Sequence, residues 1–106
     1  MTVVNFTVPQ GTSWGVQIPV VNPDGSPATL TGWTATSQIR PAATSSTILY
    51  SFTPTIVGNI VTIQATAADT TLWTWDTAEY DVKLSNGTQA ARIIEGVITM
   101  DLEVTR

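Results

Sequence analysis

A chain of 106 residues has room for one domain and one core, and its 11% charged residues fall well below the roughly 25% of ordinary soluble domains. Eight acidic side chains against four basic ones leave a net charge of −4 with no basic cluster, which disfavours nucleic acid held through its phosphates. With neither cysteine nor histidine, the chain lacks disulfides, thiol and imidazole chemistry and the commonest zinc ligands, so no cofactor or metal is expected.

The start, MTVVNFTVPQ, carries neither the charged region nor the long apolar stretch of a secretory signal, and no apolar run approaches a membrane span; synthesis in the cytoplasm without membrane attachment is the expectation. Alternation of period two then predicts strands along the chain. The first spans 3–8 with Val4, Phe6 and Val8 on one face, and Pro9 with Gly11 ends it. The second spans 13–21 with Trp14, Val16, Ile18 and Val20 inward; Pro19 lacks a ladder donor and marks an edge or a bulge. Asn22-Pro23-Asp24-Gly25-Ser26-Pro27 is a tight turn, combining a fixed φ, a side chain that bonds its own backbone and a glycine.

After Leu30 and Thr31-Gly32, a strand over 33–40 points Trp33, Ala35, Ser37 and Ile39 inward, and Pro41 stops it. Ile48, Tyr50 and Phe52 share a face of the next strand. Ile56-Val57 is a short one before the Gly58-Asn59 turn, and Val61, Ile63 and Ala65 follow toward the core. Thr66-Ala67-Ala68-Asp69 has the form of a capping box and predicts a single helical turn carrying Leu72 and Trp73. Tyr80, Val82 and Leu84 make the clearest strand. Asn86-Gly87 predicts a hairpin with a type I′ turn, and the paired Ile93-Ile94 with Gly96 a bulge or bend. Ile98, Met100, Leu102 and Val104 alternate to the end. About eight strands with one short helical turn, in two antiparallel sheets packed face to face, is the resulting all-β reading of a single domain over 1–106, preferred to a closed barrel.

No constellation here points to catalysis. Asp76 and Glu79 are the nearest approach to the two carboxylates of a glycosidase, but Asp76 falls at a turn and Glu79 points outward beside Tyr80. Asp101 and Glu103 share a solvent face, as solubilising charges or partners of Arg106. Asn22-x-Asp24-Gly25-Ser26 begins like a calcium loop without the acidic residue that would close it. Tryptophan serves cores and interfaces alike. By parity Trp14 and Trp33 are core residues; Trp73 and Trp75 straddle a turn, so at most one is fully buried, and Trp73 is expected inside with Trp75 exposed. Trp75 with its neighbour Asp76 is therefore the candidate contact for a protein or a glycan, the plainer alternative being that Trp75 lids one end of the sandwich.

The order Asn22-Pro23-Asp24-Gly25-Ser26-Pro27, Leu30-Thr31-Gly32-Trp33-Thr34-Ala35 and Gln38-Ile39-Arg40 resembles a module of tailed-bacteriophage structural proteins, similar to the N-terminal domain of the upper baseplate proteins of siphophages. Ala67-Asp69-Thr70 with Leu72, Glu79-Tyr80-Asp81-Val82-Lys83-Leu84, Arg92-Ile93-Ile94-Glu95-Gly96-Val97 and Val104-Thr105-Arg106 continue it in register, across nearly the whole chain. It departs at Asp76, where a glycine is expected, and at Trp73 and Trp75, where smaller residues are. The resemblance implies an immunoglobulin-like sandwich that docks on other phage virion proteins in several copies, located in the virion and without enzymatic activity. The leading expectation is a docking or adaptor component of the tail or baseplate. The alternatives are a capsid decoration protein of the head and, from another class, a carbohydrate-binding module using Trp75.

Overall fold

The structure, a computed structural model, describes residues 2–102. The elements are β1 (Thr2–Val3), β2 (Phe6–Pro9), β3 (Trp14–Pro19), β4 (Thr34–Arg40), β5 (Tyr50–Phe52), β6 (Thr55–Val57), β7 (Ile60–Ala65), α1 (Ala67–Thr71), β8 (Thr77–Ser85) and β9 (Ala90–Asp101). They form two sheets. In the larger, β1 and β2 both lie along β9, and β8, β4 and β5 follow; the smaller has the order β3-β7-β6. The inward positions given by the alternation meet in one core, with Val8, Ile39, Phe52, Tyr80, Val82, Ile94 and Ile98 from the larger sheet against Ile18, Val61, Ile63 and Ala65 from the smaller. β8 shows why the pattern was readable: Ala78, Tyr80, Val82 and Leu84 are buried and the residues between them are not. Pro19 ends β3 at the edge of its sheet, where a missing ladder donor costs nothing.

The turn over 22–27 forms as its residues dictate. Gly25 has φ +88°, Asn22 and Ser26 close the loop through their backbones, and the Asp24 carboxylate accepts from both the Ser26 N–H and hydroxyl. Those two bonds favour the ionised carboxylate and hold Asp24 below its usual range. The bulge also falls where Ile93-Ile94 placed it: Val82 pairs with Ile94 but Lys83 with Arg92, so Ile93 is the extra residue.

The first strand differs from expectation. It is broken at Val4-Asn5 into β1 and β2, and both run parallel to β9 in one continuous register, from Thr2 opposite Ile94 to Pro9 opposite Asp101, while every other pairing between named strands is antiparallel. Val4 N–H still donates to the Glu95 carbonyl at 2.8 Å, but the bond a parallel ladder would make next, from Val97 N–H to the Val4 carbonyl, is replaced. Val97 N–H donates instead to Asn5 Oδ1 at 2.9 Å, and the Val4 carbonyl turns to accept the Tyr80 hydroxyl at 2.7 Å. A period-two pattern carries no information about which direction a partner strand runs, so this pairing was not readable from the alternation.

Asn86-Gly87 does not form a type I′ turn. That turn needs φ above zero at both residues, whereas only Gly87, at φ +94°, has it. Ser85 pairs with Ala90, and the four residues between them are closed by Asn86 Oδ1, which accepts from the N–H groups of Thr88 and Gln89. Several apolar residues are also more exposed than the alternation predicts. β5 begins only at Tyr50, leaving Ile48 47% exposed, and Leu72 at the end of α1 is 77% exposed, so only Trp73 of that pair is buried. Trp14 and Trp33 pack on the core from its rim, half-buried. Leu102 is exposed, and the expected inward Val104, the Glu103 charge and its partner Arg106 lie outside the described residues.

Candidate functional site

At one end of the sandwich the turn after β2 is fastened to α1. Gln10, 7% exposed, donates its carboxamide N–H to the carbonyls of Thr71 and Trp73, and the fully buried Thr70 hydroxyl donates to the Thr12 carbonyl at 2.7 Å while accepting Gly11 N–H at 3.1 Å. Buried polar side chains are thus satisfied by backbone groups that the helix and turn leave unpaired. Beneath them lie seven of the eight aromatic residues in one continuous series of ring contacts, running Tyr80, Phe6, Trp14, Phe52, Tyr50, Trp73, Trp75.

Next to this end is an open cleft of about 540 Å³. Trp14 and Gly15 of β3, Gln64 and Ala65 of β7, Tyr50 of β5 and Thr66 and Asp69 beside or within α1 line it, together with Ser13 and Thr53. Half of the predicted capping box is made: Thr66 Oγ1 accepts Asp69 N–H. The Asp69 carboxylate reaches across to accept the Tyr50 hydroxyl at 2.7 Å, tying α1 to the edge of the larger sheet. Burial, reinforced by that hydrogen bond and the Asp69 charge, pushes the Tyr50 hydroxyl up to about 12, so it stays a donor at any physiological pH.

Charge is divided unequally between the two outer faces. Arg40, Glu79, Asp81, Lys83, Arg92 and Glu95 all line a second, larger opening of about 720 Å³ on the outer face of the larger sheet. There Arg92 bridges two acids that stand opposite each other, with Asp81 at 3.6 Å and Glu95 at 3.0 Å. Glu79 accepts the Ala43 N–H, which fixes the loop after β4. The strands of the smaller sheet, WGVQIP, TIV and IVTIQA, hold no ionisable side chain at all.

The two residues singled out by the sequence take different places. Trp75 is half-buried rather than exposed, because its ring stacks on Trp73 with centroids 5.7 Å apart and planes 24° from parallel. Asp76 is exposed, its carbonyl accepts Met100 N–H, and it lines neither opening. The alternation gives Tyr50 only as a strand residue and the capping pattern gives Asp69 only as a cap, while Gln64 carries no signal of its own. The Tyr50–Asp69 pair, 19 positions apart, follows from tertiary packing and left no spacing signal. Among the described residues no group of three acidic, His or Cys side chains is placed to hold a metal, and no helix is long and apolar enough to cross a membrane. Comparison with protein-family models and with curated proteins finds no match to this chain.

Proposed function

We propose that this protein is a non-enzymatic structural component of a phage virion, a docking or adaptor sandwich of the tail or baseplate that sits on other virion proteins in several copies. The all-β two-sheet fold agrees with what the sequence resemblance implies, and one observation carries the docking reading: the smaller sheet offers a face free of ions. Gly15, Gln17, Thr62 and Gln64 cover that face, and β3 and β6 are its two edges. Covering such a surface strips water from amides and hydroxyls, which can be re-paired, rather than from charges, which are costly to bury. The β6 edge is three β-branched residues, with Val57 74% exposed, and is suited to strand addition by a neighbour.

Electron microscopy of the assembled particle carrying a tagged chain tests this. Density in rotational rings of the tail or baseplate, lost when Thr62→Glu and Gln17→Lys place charges on the smaller sheet, is the expected result. Density on the icosahedral lattice of the head would make it a decoration protein instead, and absence from purified particles would overturn the virion reading altogether.

A further inference from the structure

The cleft beside α1 combines three things that binding a neutral sugar requires, and they come from three different elements. Trp14 brings a half-exposed indole whose other contacts, an edge-to-face ring at 5.3 Å from Phe6 and a tilted one at 5.9 Å from Phe52, hold it still. Asp69 brings a carboxylate oriented by the Tyr50 hydroxyl on Oδ2. Exposed Gln64 and Ser13 bring a carboxamide and a hydroxyl, each able to donate and accept. Gly15, paired with Gln64, leaves the floor between them low: a Cβ there would stand 3.1 Å from that of Gln64. The volume falls within the range of small-ligand sites.

From this geometry we infer that the cleft is a binding site for a neutral saccharide, with an apolar ring face against Trp14 and ring hydroxyls on Asp69, Gln64 and Ser13. Asp69 is the only charged residue among those lining it, so a hydroxyl donor fits and an acidic sugar is repelled. One carboxylate in the cleft suits holding a glycan and falls short of the flanking pair that hydrolysis uses. This site does not involve Trp75, shares only Gly15 and Gln64 with the smaller sheet's ion-free face, and needs no assembled particle to operate.

The test is an NMR titration of the isotope-labelled full chain with the methyl glycosides of glucose, galactose, rhamnose and N-acetylglucosamine, and with glucuronic acid as the anionic control. At least one neutral glycoside should move the Trp14 indole N–H and the Gln64 carboxamide signals saturably, with a dissociation constant of about 1 mM, and glucuronic acid should bind more weakly. Asp69→Asn, which keeps an acceptor for Tyr50, and the exposed Gln64→Ala should each weaken binding about tenfold while the remaining spectrum stays that of the folded protein. Failure of all four glycosides to shift these signals saturably, tighter binding of glucuronic acid, or unchanged affinity in both variants would overturn the site. Because the readout is on free protein, its failure leaves the virion reading standing, and the reverse is equally true.

Discussion

Gly96 and Val4 are in backbone contact: a Cβ built on Gly96 would lie 2.0 Å from the Val4 carbonyl oxygen. That is why a chain with seven glycines puts one opposite Tyr80 in the middle of its longest strand. The absent side chain gives the Val4 carbonyl room to leave the β1–β9 ladder and accept the Tyr80 hydroxyl, and Asn5 fills the ladder position it vacates.

Gly96→Ala therefore has to push the N-terminal strand away, and it should cost about 3 kcal/mol, at the upper end for overpacking. Tyr80→Phe should cost about 1–2 kcal/mol, since the Val4 carbonyl loses its partner next to a buried ring. Urea denaturation followed by tryptophan fluorescence measures both. A Gly96→Ala protein within about 0.5 kcal/mol of the parent would mean that β1 does not lie against β9 in solution.

Alkaline pH provides a second prediction. Burial pushes the hydroxyl of Tyr80 up to about 12, and Tyr50 reaches about 12 through burial and Asp69, against an ordinary value of 10.0. The folded state thus keeps protons that the unfolded chain releases, so stability falls with rising pH across that interval. Their contribution is complete below pH 10 and is lost as pH climbs through about 12. Neither tyrosine should add any pH dependence to the melting temperature below pH 10, the melting temperature should drop above it, and Tyr50→Phe with Tyr80→Phe should flatten that drop. Phenolate absorbance rising with an ordinary midpoint in the folded protein would contradict this.

The contrast between Tyr80 and its partners shows what the sequence made legible. Tyr80, Val82 and Leu84 alternate against charged neighbours, so their inward face was evident from local pattern, as were the Asn22 to Pro27 turn, the Ile93 bulge and the Thr66 cap. Local pattern does not encode which strand runs beside which, so the parallel path of β1 and β2 was invisible, and with it the reason for Gly96. The site suffered the same limit. Trp14, Tyr50, Gln64 and Asp69 come from four separate segments, and only the fold brings them to one cleft. Tryptophan near a turn reads as exposed, whereas the neighbouring Trp73 ring gives Trp75 a surface to cover.

The β8–β9 hairpin yields a third prediction. Asn86 Oδ1 accepts from Thr88 N–H at 3.1 Å and from Gln89 N–H at 2.7 Å, standing in for a backbone carbonyl that a two-residue loop would have supplied. Asn86→Ala should lose about 1 kcal/mol, while Asn86→Asp, which keeps the acceptor, should lose little of it. Gly87→Ala should cost about 1 kcal/mol for its positive φ. Equal stability of Asn86→Ala and Asn86→Asp in urea would show that the side chain does not organise the loop.

Trp75 yields the last. The buried Trp73 indole is fixed by rings on several sides, edge-on to Tyr50 at 5.0 Å and Phe52 at 6.2 Å and stacked under Trp75, and its Nε1–H has no hydrogen-bond partner among the described residues. Removing the stacked ring opens that N–H to water on one side while taking away apolar cover on the same side. The lost ring contact and burial outweigh the hydration gained by a single indole donor, so Trp75→Ala should destabilise the protein by about 1–2 kcal/mol. Trp73 emission should shift to longer wavelength as water reaches it. Saccharide titration of the same variant should be unaffected, because Trp75 does not line the cleft. A variant of parental stability with an unshifted spectrum would place Trp75 off Trp73 and return it to the role of an exposed contact residue.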